Sequence, residues 1–248
     1  MTRFRPKLWT AAGAALLLAA CSGEADKADA PAASTAAPAG PIGEGGEGGN
    51  EGGGEAGAQA AFAQIPDASK PALRLEQLKG FVLIALAQKE GAEAGGILLG
   101  QGLLEVYDPR AEQFRKLGVD EALLRKAAQT GAPGDLKAAL ANLEAAEARA
   151  GGDPIAVAKG LVDLAAGLYK EAVRPDSVDP IDYQHSLGAA LAAQALLQDA
   201  AQKDERARKA LPEMKTFVNL WPQPSAPEKP TPASDVLAQA SRLELELS

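Results

Sequence analysis

The chain has 248 residues, a formal net charge of −8, one cysteine and one histidine. A negative surface repels phosphate backbones, so the composition argues against nucleic-acid binding. A single cysteine excludes an internal disulfide framework, and a single histidine excludes multi-histidine metal sites and most histidine-based catalytic relays. Aromatic residues make up only 4% of the chain, while alanine, glycine and leucine dominate. We therefore predict an all-α fold, an alanine-rich bundle of about six to eight helices.

The amino terminus has the pattern of a secretory leader. Arg3, Arg5 and Lys7 precede residues 8–20, which carry no charge. A positive segment followed by a short apolar one is typical of a signal peptide. A helix needs about 20 apolar residues to span a bilayer, so this stretch is too short for a permanent membrane helix. We predict a signal peptide over residues 1–20.

The end of this leader carries a specific motif. Leu18-Ala19-Ala20-Cys21 places small side chains directly before the single cysteine. The motif resembles the lipobox of bacterial lipoprotein precursors. The resemblance implies that the chain is cut before Cys21, that the thiol receives diacylglycerol and that the new amino group is acylated. The alternative interpretation is an apolar N-terminal helix with a buried cysteine.

The residue after the cysteine bears on location. In enterobacterial-type lipoproteins an aspartate there is the inner-membrane retention signal, and this chain has Ser22. The resemblance therefore implies a lipid anchor in the outer membrane, facing the periplasm. The inner membrane is the alternative, because the sorting rule varies among bacteria.

A glycine-rich acidic segment follows the leader. Residues 22–60 contain one large apolar residue, Ile42. Such a segment buries too little apolar surface to offset its chain entropy, so we predict that residues 21–65 form a disordered tether. The alternative is a calcium site built from its glutamates, but the spacing lacks the aspartate and the large apolar residue of calcium-binding repeats.

Polar residues followed by proline mark helix starts in the body, residues 66–221. A proline at the first helical position loses no hydrogen bond, and an aspartate before it caps the free amides. The pattern predicts helix starts at four places, Lys70-Pro71, Asp108-Pro109, Asp153-Pro154 and Asp179-Pro180. Further helices are predicted over residues 119–130, ending at Gly131, and over residues 135–149.

Apolar spacing ranks these helices by burial. Residues 81–87 are apolar on every side, which indicates the most buried helix. Residues 154–173 repeat apolar side chains every three or four positions and so predict one buried face. The glycine-rich stretch 91–107 is ambiguous, since it fits either a helix or a loop. If it is helical, Gly96 and Gly100 would form a smooth patch for a helix crossing.

This stretch also carries a second resemblance. Ala94-Gly95-Gly96-Ile97-Leu98-Leu99-Gly100, leading to Glu105-Val106-Tyr107, is similar to a loosely defined group of proteobacterial lipoproteins. Members of that group carry histidines in this region, which implies metal binding for them. Here Ile97 and Gly100 stand at the comparable positions, so the metal site does not transfer.

The carboxyl-terminal part divides in two. Five prolines fall within residues 222–232 and predict an extended, semi-rigid connector. Residues 233–248 then form a last helix, with Ser234 as the expected cap and an apolar side that includes Val236 and Leu243. We expect this helix to fold back onto the bundle or to dock a partner.

His185 and Asp182 form the one candidate polar site. They lie one helical turn apart, so Asp182 could orient the imidazole as a base or a single metal ligand. The alternative is a histidine at the edge of the core, satisfied by Asp182 or a backbone carbonyl. Ser186 is a poor nucleophile for His185, because adjacent helical side chains point about 100° apart. Asp176, Asp179 and Asp182 could hold a divalent cation, although capping and turn formation explain them as well.

These features predict a function class. We expect a non-enzymatic, lipid-anchored helical protein of the periplasm that binds a partner protein or another envelope component, with no cofactor. The alternative is a metal- or small-solute-binding lipoprotein of the envelope. A hydrolase is the third hypothesis, and it depends on His185.

Overall fold

In a computed structural model, the structure describes the backbone of residues 54–248 and the side chains from residue 59 onward. The predicted signal peptide, Cys21 and most of the predicted tether lie outside the described residues. The described chain folds into ten α-helices and one short hairpin. The helices are α1 (Gly54–Gln64), α2 (Lys70–Ala87), α3 (Ala92–Gly102), α4 (Ala111–Lys116), α5 (Glu121–Thr130), α6 (Pro133–Ala150), α7 (Pro154–Ala172), α8 (Pro180–Ala200), α9 (Glu205–Val218) and α10 (Ala233–Glu246). The hairpin pairs β1 (Val173–Arg174) with β2 (Ser177–Val178) in antiparallel register.

The all-α prediction is confirmed, and the helix count is higher than the predicted six to eight. One additional helix is α1, which occupies part of the predicted tether. Ala61 is fully buried and Ile65 nearly so, because α1 packs against α7. The folded body therefore begins before the predicted boundary at residue 66. The other is α4, only six residues long.

Helices α2, α7 and α8 form the centre of the bundle. Helix α7 contacts α1, α2, α8 and α10, and α8 contacts α2, α7 and α9. The predicted apolar face of α7 is buried, and burial extends further around the helix to Val157, Leu164 and Tyr169, because four helices pack against it. Within residues 54–248, no helix is both long enough and apolar enough to cross a membrane.

Local capping signals account for several helix starts. Asp153 and Asp179 cap α7 and α8 as predicted, each accepting hydrogen bonds from amides of the first turn. Asp108 does not cap a helix, since it follows a π-helical turn (Leu103–Tyr107) and its carboxylate accepts a hydrogen bond from Arg125 at 2.7 Å. Gly131 ends α5 with φ of +55°, a left-handed conformation that glycine adopts without strain.

Glycines set the close helix crossings, but not at the predicted pair. The 91–107 stretch is helical, and Gly96 packs against the backbone of Ala128. Gly100 has no neighbour within 4 Å of a Cβ built on it, so it forms no crossing patch. The tightest crossing between central helices joins α2 and α8, where Gly80 and Gly188 face each other backbone to backbone.

The proline-rich connector lies on the bundle and contains no helix or strand. Tyr183 donates a hydrogen bond to the carbonyl of Gln223 at 3.2 Å, and Tyr169 donates one to the carbonyl of Thr231 at 2.8 Å. The predicted helix after the connector is confirmed as α10, which packs against α9 and α7. Ser234 is not its cap, because the helix begins after Pro232 without a side-chain cap.

Candidate functional site

His185 lies on α8 beneath the π-helical turn, and its neighbours differ from those predicted. The residue is 8% exposed, and its ring packs edge-on against Phe81 at 4.6 Å between centroids. Its Nε2 atom lies 3.3 Å from Oε1 of Gln101, and its Nδ1 atom lies 3.8 Å from Oε2 of Glu105. The ring is thus paired across the α3–α8 contact, and Asp182 makes no hydrogen bond with it. The structure does not bring the predicted pair together.

Burial controls the titration of this group. Desolvation lowers the pKa of His185 to about 4, and the carboxylate of Asp179 opposes that shift only weakly. Burial raises the pKa of Glu105 to about 6, with a further contribution from the charge of Asp182. A neutral imidazole with one amide partner fits the interpretation of His185 as a histidine at the edge of the core.

The serine beside His185 has a structural role. The hydroxyl of Ser186 donates to the carbonyl of Tyr183 at 2.7 Å and accepts from Nε1 of Trp221 at 2.9 Å. Ser186 is fully buried. With its proton engaged in a structural bond, it is not placed to attack a substrate. Asp179, a member of the predicted acidic cluster, is engaged as the cap of α8. Among the described side chains, no group of three or more histidine, cysteine, aspartate or glutamate residues is suited to hold a metal ion.

We expect acidification to lower the free energy of unfolding of His185→Gln less than it lowers that of the unaltered protein. Because the pKa of His185 is lower in the folded chain than the usual 6.5, the unfolded chain binds the additional proton. The stability associated with neutral His185 is therefore complete above pH 6.5 and falls as the pH approaches 4. Between these pH values, this one proton changes the free energy of unfolding by up to about 1.4 kcal/mol per pH unit. Urea unfolding of both proteins between pH 7 and pH 4 measures this difference. Parallel pH profiles would contradict a lowered pKa of His185 in the folded chain.

A second polar cluster lies in the interior, at positions for which no polar site was predicted. Lys79 and Glu76, one turn apart on α2, have side chains that are each 2% exposed. Nζ of Lys79 lies 3.3 Å from Oε2 of Glu76 and donates a hydrogen bond to Glu147 on α6. We call these three residues the buried triad. It combines two carboxyl groups with one ammonium group.

The triad borders a cavity of about 180 Å³, which we call the Glu76 cavity. Residues of α2, α6, α7 and α8 and of the α6–α7 turn line it, and it is open to solvent on the side of the exposed Gly151 and Gly152. The walls are mainly apolar: Ala72, Leu75, Ala150, Pro154, Val157 and Leu196. Glu76 and Glu147 are the charged residues that line it. The cavity therefore has apolar sides and carboxyl groups at one end.

Glu76 is incompletely satisfied in this position. Its Oε2 atom is inaccessible to solvent and lies 3.3 Å from Nζ of Lys79, its ion-pair partner, in a geometry outside that of a good hydrogen bond. Burial raises the pKa of Glu76 to about 8, against the opposing effect of the Lys79 charge. Since buried carboxyl groups usually have a partner, the ammonium group of Lys79 is what compensates Glu76 in this position.

Sequence reasoning missed the buried triad. The signal available was a glutamate and a lysine three residues apart inside the most apolar helix. Glu147 belongs to a different helix, and its contribution depends on how α6 crosses α2.

A wider groove of about 500 Å³ lies beside α1, α7 and α10, next to Asp163 and Glu244. Burial and the neighbouring Asp163 raise the pKa of Glu244 to about 7. The polar side chains that line this groove are half-buried or exposed. It is therefore a less defined binding site than the Glu76 cavity.

No protein-family model, no curated protein and no solved structure matches the chain.

Proposed function

We propose that the chain is a lipid-anchored binding protein of the bacterial envelope, and that its helical body holds a small solute in the Glu76 cavity. The anchor is proposed at Cys21, from the lipobox-like sequence before it. The binding role is supported by one observation above the others. A largely apolar pocket of about 180 Å³ at the α6–α7 turn is lined by two glutamates, Glu76 and Glu147, that share Lys79 as their ion-pair partner. The proposal assigns no reaction to the protein.

A thermal-shift screen tests the binding role. The full chain, purified in detergent, is screened with cationic, neutral and anionic compounds small enough for the cavity. A ligand that binds only the folded state raises the melting temperature, by an amount that grows with the logarithm of its concentration above Kd. The matched control is Ala72→Leu, which fills the cavity from α2 and keeps the triad. We expect stabilisation of the unaltered protein that is lost in Ala72→Leu. Equal responses of the two proteins to every compound would overturn the binding role, and elemental analysis of the same samples tests the metal alternative.

Mass spectrometry of protein from its native host tests the anchor. We expect a mature chain that begins at Cys21 and carries acyl chains, because two or more chains hold a protein on a membrane stably. Cys21→Ser should release the protein from the membrane fraction. An unmodified thiol, or a mature start at another residue, would contradict the anchor. Membrane fractionation tests the proposed outer-membrane location, and Ser22→Asp should move the protein to the inner membrane if the enterobacterial rule applies.

A second candidate function is docking of a partner protein, and the surface over His185 favours it. Ile97, Leu104 and Ile181 are large apolar residues, and they are 58%, 70% and 44% exposed. Ile97 lies on α3, Leu104 on the π-helical turn and Ile181 on α8, around the contact between Glu105 and His185. Asp182 on α8 adds negative charge beside Glu105. An apolar surface with acidic residues complements an apolar segment that carries lysine or arginine. The proposed occupant is such a segment of another envelope protein.

Photo-cross-linking in intact cells tests this candidate. A photoreactive residue at position 104 should give one adduct, and mass spectrometry should locate it in an apolar segment next to basic residues. The adduct should disappear with Ile97→Glu and should not form from position 116, where Lys116 is exposed on α4. The absence of an adduct at position 104, or the same adduct from both positions, would overturn the docking role.

A further inference from the structure

We propose that the buried triad is a pH-dependent tie between α2 and α6: Lys79 holds Glu147 while Glu76 carries a proton, and it pairs with Glu76 and lets α6 separate once that proton is lost. The tie needs no bound ligand. Glu147 also lines the Glu76 cavity, so release of α6 would widen the proposed solute site, and only this consequence rests on the proposed function.

The contacts of Lys79 distinguish its two carboxyl partners. Its Nζ atom donates a hydrogen bond to Oε1 of Glu147 on α6. The same atom lies 3.3 Å from Oε2 of Glu76, in a geometry outside that of a good hydrogen bond. An ammonium group bonds most strongly to an ionised carboxylate. The unequal pairing therefore fits an ionised Glu147 and a protonated Glu76.

The charge balance of the triad depends on the proton of Glu76. Burial lowers the pKa of Lys79, but the charges and hydrogen bonds of the two glutamates outweigh burial and raise that pKa above its usual value. Lys79 therefore stays positive around neutral pH. With Glu76 protonated, the charges of Lys79 and Glu147 cancel. With Glu76 ionised, one negative charge is in excess, and an uncompensated charge is costly in a buried site.

The proton of Glu76 is lost on the alkaline side of neutrality. Burial raises the pKa of Glu76 to about 8, where the charge of Lys79 opposes the shift and the charge of Glu147 adds to it. Lys79 lies on the same helix and Glu147 on α6. The cavity residues that α7, α8 and the α6–α7 turn contribute beside Glu76 are uncharged. The excess negative charge therefore develops as the pH rises through about 8.

Helix α6 is the part of this contact that can move. Glu76 and Lys79 share the central helix α2, which the close crossing at Gly80 holds against α8. Three of the five buried residues of α6 are alanines, which bury less apolar surface than larger side chains. The helix ends at Gly151 and Gly152, with φ of +67° and +89°. Glycine changes such angles at low steric cost, so this turn can act as a hinge.

Separation of α6 is coupled to the loss of one proton. In the closed contact Glu76 keeps its proton up to about pH 8, whereas a hydrated Glu76 in the open contact would titrate near its usual pKa of 4.5. The stability that Glu76 adds to the closed contact is therefore complete below pH 4.5 and is lost as the pH rises through 8. Between these values the equilibrium constant for opening should rise by up to about tenfold per pH unit.

Hydrogen exchange of the full chain in detergent, read by mass spectrometry of its peptides, tests the tie. Exchange rates at pH 6 and pH 8 are each divided by those of the unfolded peptides at the same pH, which gives the equilibrium constant for local opening. We expect this constant to rise by more than about tenfold for α6, while α7 and α8 stay protected. An unchanged value for α6, or an equal rise in all three helices, would overturn the proposal.

Two variants and a control assign the effect to the triad. Glu76→Gln keeps the shape of the protonated acid and cannot ionise, so α6 should stay protected at pH 8. Glu147→Gln removes the charge that Lys79 holds on α6, so α6 should exchange faster at pH 6 and respond little to pH. Glu144→Gln, exposed on α6, should behave as the unaltered protein does.

Either variant can contradict the tie. A rise for α6 in Glu76→Gln as large as in the unaltered protein would show that Glu76 is not the titrating group. If Glu76→Gln fails to fold, an undiminished rise in Glu147→Gln has the same force. The exchange is measured without a solute, so failure of the tie is distinct from failure of the solute-binding proposal, which the thermal-shift screen decides.

Discussion

Lys79→Met is expected to lower the free energy of unfolding by about 3–5 kcal/mol, the range seen when one partner of a buried ion pair is removed. Methionine preserves most of the volume of the lysine stem, so the change isolates the ammonium group. Without it, the buried Glu76 and the half-buried Glu147 lose the positive charge that they share. The two carboxyl groups then repel each other or take up a proton.

Urea unfolding at pH 7 measures this loss, and Lys209→Met is the matched control. Lys209 pairs with Glu205 at 3.0 Å on the surface of α9, where both side chains are well exposed. Exposed ion pairs contribute little to stability, so the control should unfold at the same urea concentration as the unaltered protein. Equal behaviour of the two variants would show that the triad contributes no more than a surface ion pair.

Gly80→Ala is expected to destabilise the protein by about 2–3 kcal/mol, although alanine is the better helix former. A Cβ atom at position 80 would lie 2.7 Å from the carbonyl oxygen of Gly188 and 2.8 Å from its carbonyl carbon. These are backbone atoms, so they cannot rotate away as a side chain can. The central helices α2 and α8 would have to separate, and the core between them would loosen.

Gly100→Ala is the control for the helical preference of alanine. A Cβ atom there meets nothing within 4 Å, and the residue lies inside α3. We expect this variant to gain about 0.5–1 kcal/mol, from the lower entropy of its unfolded chain. In thermal or urea unfolding, the midpoints of the two variants should therefore shift in opposite directions from that of the unaltered protein. A stability gain in Gly80→Ala would contradict the close crossing of α2 and α8.

Much of the local structure follows from short-range patterns in the chain. The starts of α7 and α8 at Asp153 and Asp179, the end of α5 at Gly131 and the last helix were all predicted correctly. The chemistry that sets these boundaries acts within about four residues. Where it failed, at Asp108, a longer-range hydrogen bond to Arg125 engaged the expected cap.

The start of the folded body was harder to predict. Helix α1 is rich in alanine and glycine and has Phe62 as its single large apolar side chain, so its sequence resembles that of the preceding segment, which was predicted to be a tether. Its burial comes from contact with α7, which is more than 90 residues away along the chain. Small side chains bury little apolar surface by themselves, and they become part of a core only where another helix packs closely against them.

The sequence by itself determined the helical class and the caps at Asp153 and Asp179, because these depend on neighbours along the chain, and it predicts the leader at the amino terminus. Tertiary structure alone decided which polar groups meet: Gln101 and Glu105 around His185, and Glu147 beside Glu76 and Lys79. These contacts join residues on separate helices, and they exist only because the glycine contact between α2 and α8 and the packing of α6 on α2 set the helix positions. Periodicity along one helix shows which face is apolar, but the partner across a crossing depends on the angle and register of two helices.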